Sequence, residues 1–157
     1  MSMLEIAIGI AVRAHAGQLD KEGQPYITHP MRVMASLVGE AAQCVGILHD
    51  VVEDTAITLD DLRAAGLSEA IVEAVALVTH EKSEPYADYV VRCKPHAIAR
   101  PVKLADLQDN TRLDRSLIRP DRIQADFARI HRYVLSYKFL TDGITEEQYR
   151  MLMKMYG

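Results

Sequence analysis

The sequence is poor in cysteine and lacks any stretch typical of a membrane span or a leader peptide. Cys44 and Cys93 are its two cysteines and form no Cys-x-x-Cys pair, which argues against a disulfide scaffold and favours two buried thiols in a reduced cytoplasmic chain. No apolar stretch approaches the ~20 residues that cross a bilayer, and the first residues lack a signal-peptide pattern. We therefore expect a cytoplasmic protein without a membrane partner.

An excess of positive charge is also missing. The formal net charge is −4, so no general basic field would attract nucleic acid or an anionic membrane surface. A polyphosphate ligand would need local positive charge or a metal ion. We therefore expect no nucleic-acid partner.

Signs of β structure are absent as well, since there are no alternating apolar and polar runs and no Asn-Gly hairpin turns. Apolar residues instead recur at helical spacing. The predicted helices cover residues 4–16, 30–38, 41–52, 69–78, 86–93, 97–113, 122–140 and 145–155, with a short one that Thr58 opens. With 157 residues, 49% of them hydrophobic and 25% charged, the chain is predicted to form one all-α domain over residues 1–157.

One stretch, residues 47–55, combines an apolar run with a cluster of polar groups that can hold metal ions or protons. On a continuous helix His49 would share a face with Glu53, and Asp50 with Asp54, because positions i and i+4 lie together. Three carboxylates beside a histidine repel one another unless a cation is bound or protons are held. The pattern therefore indicates chemistry rather than packing.

Two further residues are candidates for the same site. His29 precedes Pro30 at a predicted helix start, where its ring can point into a cleft. Asp106 follows an apolar pair, so it lies on or near the buried face of its helix, on the same side as Lys103 and Asn110. A buried aspartate is costly unless it is paired or bound to metal. Asp106 is therefore either a metal ligand or the partner of Lys103 in a surface pair.

The combined set of two imidazoles and two carboxylates suits a divalent metal such as manganese, iron or zinc and does not select among them. Such a metal would lower the pKa of a bound water and neutralise charge that develops on phosphorus. Glu53 and Asp54 could orient or deprotonate that water. The four candidate ligands are His29, His49, Asp50 and Asp106.

These residues resemble the H…HD…D signature of the HD-domain metal-dependent phosphohydrolases. More closely, the sequence resembles the hydrolase domain of RelA/SpoT-type alarmone enzymes over roughly residues 4–140, in unbroken motif order. The motifs that carry the resemblance are His15-Ala-Gly-Gln18, Gly23-Gln-Pro-Tyr26-Ile-Thr-His29-Pro30, Leu48-His-Asp-Val-Val-Glu-Asp-Thr55 and Val102-Lys-Leu-Ala-Asp106, followed by Asn110.

The resemblance implies a helical HD-domain bundle that binds one metal, usually manganese, through the four candidate ligands. It implies that Glu53 and Asp54 assist the attacking water, and that Lys21 and Asn110 help to hold a nucleotide. Family members that act on (p)ppGpp remove its 3′-pyrophosphate and leave GDP or GTP. Because the sequence shows no synthetase, TGS or ACT segment, we expect a stand-alone small hydrolase.

The sequence departs from the family pattern at three positions. Asp20 stands where an arginine usually precedes Lys21 and packs on the guanine base, so cation–π stacking is lost. Leu107 stands where an arginine is common, and Leu113 where a threonine is usual. Two alternatives therefore stay open: a hydrolase of another nucleotide or phosphomonoester, and a nucleotide-sensing or partner-binding module without turnover. Retention of Glu53 and Asp54 argues against the second.

Overall fold

Ten α-helices account for most of the structure, a computed structural model that describes residues 1–115 and 118–156. The predicted domain also includes residues 116, 117 and 157, which lie outside this range. The described part contains no β-strand, as predicted, and one isolated bridge joins Leu19 to Pro25. The helices are α1 (Met3–Ala14), α2 (Thr28–Ala35), α3 (Glu40–Leu48), α4 (Val51–Asp54), α5 (Leu59–Ala64), α6 (Glu69–Val78), α7 (Tyr86–Cys93), α8 (Ala99–Asn110), α9 (Ile123–Leu140) and α10 (Glu146–Tyr156).

Local capping explains where several helices begin. Before α1, the side chain of Ser2 accepts a hydrogen bond from the Glu5 amide, and the Ser2 amide donates to the Glu5 carboxylate. Thr58 and Asp61 form the same reciprocal capping box at α5, so the predicted role of Thr58 is confirmed. Each box satisfies backbone donors that the first helical turn leaves unpaired.

The prediction of one helix over residues 41–52 is wrong. Helix α3 ends at Leu48, His49 and Asp50 form a turn, and α4 begins at Val51. Asp50 has φ −101° and ψ −5°, outside the regular helical range. The apolar pattern continues through the turn because Val51 is also completely buried, so periodicity alone does not reveal the break.

Helix α3 lies at the centre of the bundle and contacts α1, α2, α6 and α8. Cys44, Val45, Ile47 and Leu48 are fully buried on it. At Gly46 an added Cβ would come within 2.6 Å of Leu37 Cδ1 and 3.2 Å of the Met34 Cα. A larger residue here would require the Leu37 side chain to move and the Met34 backbone to shift slightly, so glycine favours the close contact of α2 with α3.

The second half of the chain covers the other side of the core. Helix α9 contacts α8 and α10, and Phe139 stacks on Tyr149 with ring centroids 4.7 Å apart. Among the residues described, no helix combines the length and the apolar character needed to cross a membrane.

The start of α2, the turn after α3 and the middle of α8 all contribute residues to the lining of one cavity.

Candidate functional site

Four side chains that the sequence analysis selected meet at one end of this cavity. The Nε2 atoms of His29 and His49 lie 3.2 Å apart. The Oδ2 atom of Asp50 is 3.0 Å from His49 Nε2 and 3.6 Å from His29 Nε2. The Oδ1 atom of Asp106 is 3.3 Å from His29 Nε2 and 3.6 Å from His49 Nε2. Each Nε2 atom thus lies within 3.6 Å of one oxygen of Asp50 and one oxygen of Asp106.

The turn between α3 and α4 explains how two consecutive residues contribute to this cluster of four side chains. Neighbouring side chains on a regular helix point about 100° apart. Because the helix is interrupted at Asp50, its carboxylate turns back onto the ring of His49. On one continuous helix, His49 would share a face with Glu53. In the structure its ring instead contacts the carboxylate of the adjacent residue, Asp50.

The second ring nitrogen of each histidine has an acceptor of its own. His49 Nδ1 lies 2.8 Å from the carbonyl oxygen of Gly46, and His29 Nδ1 lies 2.6 Å from Asp109 Oδ2. A carbonyl and a carboxylate accept hydrogen bonds, so both Nδ1 atoms carry the proton and donate it. The lone pair of each neutral ring is then on Nε2 and lies within the cluster.

Charges within this cluster control its protonation. Burial lowers the pKa of His29, but the carboxylates of Asp106 and Asp109 more than offset it and raise that pKa above its usual value. Burial likewise lowers the pKa of His49, but the charge of Asp50 outweighs burial and raises that pKa well above the ordinary range. Without a cation the cluster therefore retains protons, which a metal ion would displace.

Asp106 is buried together with Lys103, each being 6% exposed, so the alternative of a surface pair is wrong. Lys103 Nζ donates to Asp106 Oδ2 at 2.7 Å, and Asn110 Nδ2 donates to Oδ1 at 2.6 Å. Burial raises the pKa of Asp106, yet the Lys103 ammonium and the two histidines hold it well below its usual range. The carboxylate is ionised and its Oδ1 faces the histidine rings.

Glu53 and Asp54 lie on α4 at the edge of the same cavity. Glu53 Oε2 accepts a hydrogen bond of 3.0 Å from the backbone amide of His80, which fixes its carboxylate from the loop before α7. Burial and the neighbouring charge of Asp50 raise the pKa of both side chains. Two carboxylates with raised pKa values next to a candidate metal centre are suited to accept protons.

The cavity has a volume of about 400 Å³ and is lined by both acidic and basic side chains. Its lining includes His29, Asp50 and Asp106 together with Glu53 and Asp54, and also the basic side chains of Lys21, Lys103, Arg115 and Arg129. Burial and the charges of Arg129 and Arg119 lower the pKa of Lys21. The two predicted nucleotide contacts, Lys21 and Asn110, both line this space.

The three departures from the family pattern have different structural outcomes. Asp20 lines the cavity. Its Oδ1 accepts hydrogen bonds from the backbone amides of Glu22 at 2.9 Å and Gln24 at 2.8 Å, so its side chain stabilises the loop in which it lies. Leu107 is 1% exposed and belongs to the core, whereas Leu113 is 96% exposed. Among the three, Asp20 alone faces the cavity.

Sequence reasoning did not select several residues that complete the site. Tyr26 donates its hydroxyl proton to Asp50 Oδ2 at 2.5 Å, and burial together with the Asp50 charge raises the pKa of Tyr26. Asp109 contacts His29 from a position 80 residues further along the chain. Its spacing of three from Asp106 places it on the same side of α8 and is a usable signal. No local pattern, however, indicates the pairing with His29.

Comparisons with known proteins place the chain among relatives of known name. No protein-family model matches the chain. The chain is 36% identical over 131 residues to a GTP pyrophosphokinase of Streptomyces coelicolor, covering 76% of this chain and 16% of the relative. It is 32% identical over 127 residues to the bifunctional (p)ppGpp synthase/hydrolase SpoT of Escherichia coli, covering 72% and 18%. A guanosine-3′,5′-bis(diphosphate) 3′-pyrophosphohydrolase of Haemophilus influenzae is 36% identical over 129 residues, covering 72% and 19%.

The chain thus spans less than a fifth of the length of these curated relatives. A solved structure described as a metazoan ortholog of SpoT that hydrolyzes ppGpp superposes with a TM-score of 0.63 and 19% identity. That superposition covers 91% of this chain and 96% of the other. By its relatives and its all-helical fold, the chain is a RelA/SpoT-type HD domain.

Proposed function

We propose that the chain is a metal-dependent phosphohydrolase that removes the 3′-pyrophosphate of (p)ppGpp. The observation that supports this most directly is that two imidazole nitrogens and two carboxylate oxygens lie close together beside a cavity that Lys21, Arg115 and Arg129 also line. The substrate we propose is the compound in the names of the SpoT-type relatives.

We also propose that residues 1–157 form one domain. Cys44 and Cys93 are buried free thiols, and we propose that the protein belongs in the reducing cytoplasm.

The donor set fits a divalent cation. His29, His49 and Asp50 each offer an atom within 4.8 Å of the others, and Asp106 Oδ1 approaches both rings. Mixed nitrogen and oxygen donors suit Mn²⁺, Fe²⁺ and Zn²⁺, and we propose Mn²⁺ as the natural ion. When bound, the ion would lower the pKa of a water molecule and neutralise charge on the reacting phosphorus.

The chain's own residues would carry out proton transfer and substrate placement. Glu53 and Asp54, which stand beside the candidate ligands, would orient the attacking water and accept its proton. The bond between the 3′ oxygen of the nucleotide and the adjacent phosphorus would break, releasing pyrophosphate and GDP or GTP. Lys21, Arg115 and Arg129 would bind phosphate oxygens, and Asn110 would contact the nucleotide beside Asp106.

One observation favours a second candidate function. The carboxylate of Asp20 lies on the cavity wall in place of an arginine that could stack on guanine. A hydrolase of another nucleotide, or of a phosphomonoester, would have less need of that arginine.

A substrate screen separates these functions. The protein would be stripped of metal, reloaded with Mn²⁺ and assayed against (p)ppGpp, pppApp-like alarmones and nucleoside mono-, di- and triphosphates. Pyrophosphate release from ppGpp supports the leading proposal, and orthophosphate release from a monophosphate supports the second. Saturable nucleotide binding without turnover of any compound would overturn both and indicate a sensing module. The His49→Ala variant serves as the metal-site control, and turnover that it retains would contradict the assigned site.

A further inference from the structure

The carboxylate of Asp109 contacts His29 Nδ1, the ring nitrogen that does not face the candidate metal centre. Asp109 is 6% exposed and both of its carboxylate oxygens have partners. Oδ1 accepts from Arg32 Nε at 2.8 Å, while Oδ2 accepts from His29 Nδ1 at 2.6 Å and from Arg32 Nη2 at 3.1 Å. Arg115 Nη1 also donates to Oδ2 and, at 3.0 Å, to the Asp109 carbonyl oxygen.

Two guanidinium groups donate to this carboxylate and orient it. Because both of its oxygens accept hydrogen bonds, His29 donates to Oδ2 from Nδ1, and in the neutral ring the lone pair is left on Nε2. The bidentate contact from Arg32 adds geometric constraint, because the two parallel N–H groups match the two oxygens. Asp109 thereby determines both the tautomer and the direction of the His29 ring.

The position of Asp109 on α8 makes this arrangement rigid. Asp106 and Asp109 lie three residues apart, so one helix supplies the oxygen that faces His29 Nε2 and the oxygen that binds His29 Nδ1. The ring is held from opposite sides by one helix. At His49 the equivalent acceptor is the Gly46 carbonyl oxygen, which a side-chain substitution cannot remove.

We propose that Asp109, held by Arg32 and Arg115, is a positioning residue that orients His29 for metal binding. This inference rests on the proposed function only in that it assumes a metal at the four converging atoms. Partners of this kind typically change metal affinity or activity by about 10–100-fold when they are removed. Arg115 also lines the cavity, so the same network connects His29 with a basic side chain of the cavity lining.

The test is Mn²⁺ affinity measured by competition with a chelating dye, after circular dichroism has established that each variant is folded. Asp109→Asn keeps the shape of the side chain and should bind Mn²⁺ about 10–100-fold more weakly than the parent. Asp142→Asn is the matched control: Asp142 bonds Lys94 and Arg100 on the surface, and asparagine tolerates its positive φ of 61°. Its affinity should equal that of the parent.

A double substitution tests whether Arg115 acts through Asp109. Arg115→Gln alone should weaken Mn²⁺ binding, by less than Asp109→Asn, because Arg32 still holds the carboxylate. Adding Arg115→Gln to Asp109→Asn should cause no further loss. If Asp109→Asn fails to fold, Arg32→Gln and Arg115→Gln decide: parent affinity in both variants would refute the proposal, and weaker affinity in either supports it.

Nitrogen-15 NMR of the metal-free protein, at a pH high enough for the His29 ring to be neutral, gives a readout that needs neither turnover nor metal. The neutral His29 ring, assigned with a His29→Gln variant, should carry its single proton on Nδ1. An unprotonated Nδ1, or parent Mn²⁺ affinity in folded Asp109→Asn, would overturn the inference. A protein that binds Mn²⁺ through Asp109-oriented His29 but hydrolyses no nucleotide would refute the proposed function alone.

Discussion

Replacing Lys103 by methionine should destabilise the metal-free protein far more than a single surface substitution. The side chains of Lys103 and Asp106 are 8% and 9% exposed, and Nζ lies 2.7 Å from Oδ2. Methionine preserves the apolar stem but removes the ammonium group that donates to the buried carboxylate of Asp106. Breaking a buried pair in this way costs about 3–5 kcal/mol. The loss is expected at neutral pH, where Asp106 is ionised because its pKa is well below the usual range.

Bound Mn²⁺ should reduce this loss, because a cation at the four converging atoms pairs with the same Asp106 carboxylate. The assay is urea unfolding of parent and variant, each with and without Mn²⁺. A ligand at one hundred times its Kd stabilises a folded protein by about 2.7 kcal/mol, and the gain should be larger for Lys103→Met than for the parent. Lys154→Met, at an exposed position on α10, is the control and should change stability by about 0.5 kcal/mol or less.

Two results would refute this reasoning. If Lys103→Met lost no more stability than Lys154→Met, the buried charge of Asp106 would not depend on Lys103. If the loss were large but identical with and without Mn²⁺, then Asp106 would not face the bound ion.

Three further predictions concern catalysis, metal content and carboxylate titration. Glu53→Ala combined with Asp54→Ala should retain Mn²⁺ but lose about 10²–10⁴-fold in kcat, as expected for removal of general bases; unchanged turnover would contradict their role. Asp106→Ala should purify with little bound Mn²⁺ by elemental analysis, and parent metal content would exclude it as a ligand. Burial and nearby carboxylates raise the pKa of Glu53 and Asp54, so in the metal-free protein both side chains should titrate above the ordinary carboxylate range when followed by carbon-13 NMR. Titration of both within the ordinary range would contradict this assignment.

The sequence predicted helix boundaries well where residues typical of helix ends flank the apolar pattern. The predicted helices over 69–78 and 86–93 match Glu69–Val78 and Tyr86–Cys93. The helix predicted over 97–113 is shorter, Ala99–Asn110, because Thr111 leaves the helical conformation with ψ 9°. Boundaries of this kind depend on the last turn, which apolar spacing does not constrain.

The site was predictable in part, because the residues themselves carry the chemistry while their contacts depend on tertiary structure. The convergence of His29 and His49 follows from the resemblance, not from spacing, since these rings belong to different helices. The break at Asp50 was hidden because Val51 keeps the apolar pattern intact. The roles of Asp109 and Arg115 depend on contacts across the bundle, which no short sequence window contains.

The glycine at position 46 has a consequence for any attempt to move this site into another helical protein. Its missing side chain allows a close contact between two helices, and its carbonyl oxygen accepts a hydrogen bond from the ring of His49. A graft that copied only the polar residues would lose this close contact, which helps to bring the helices of the two imidazoles together. The smallest transferable unit therefore includes an apolar helix crossing, with Gly46 at its contact point, as well as the polar side chains.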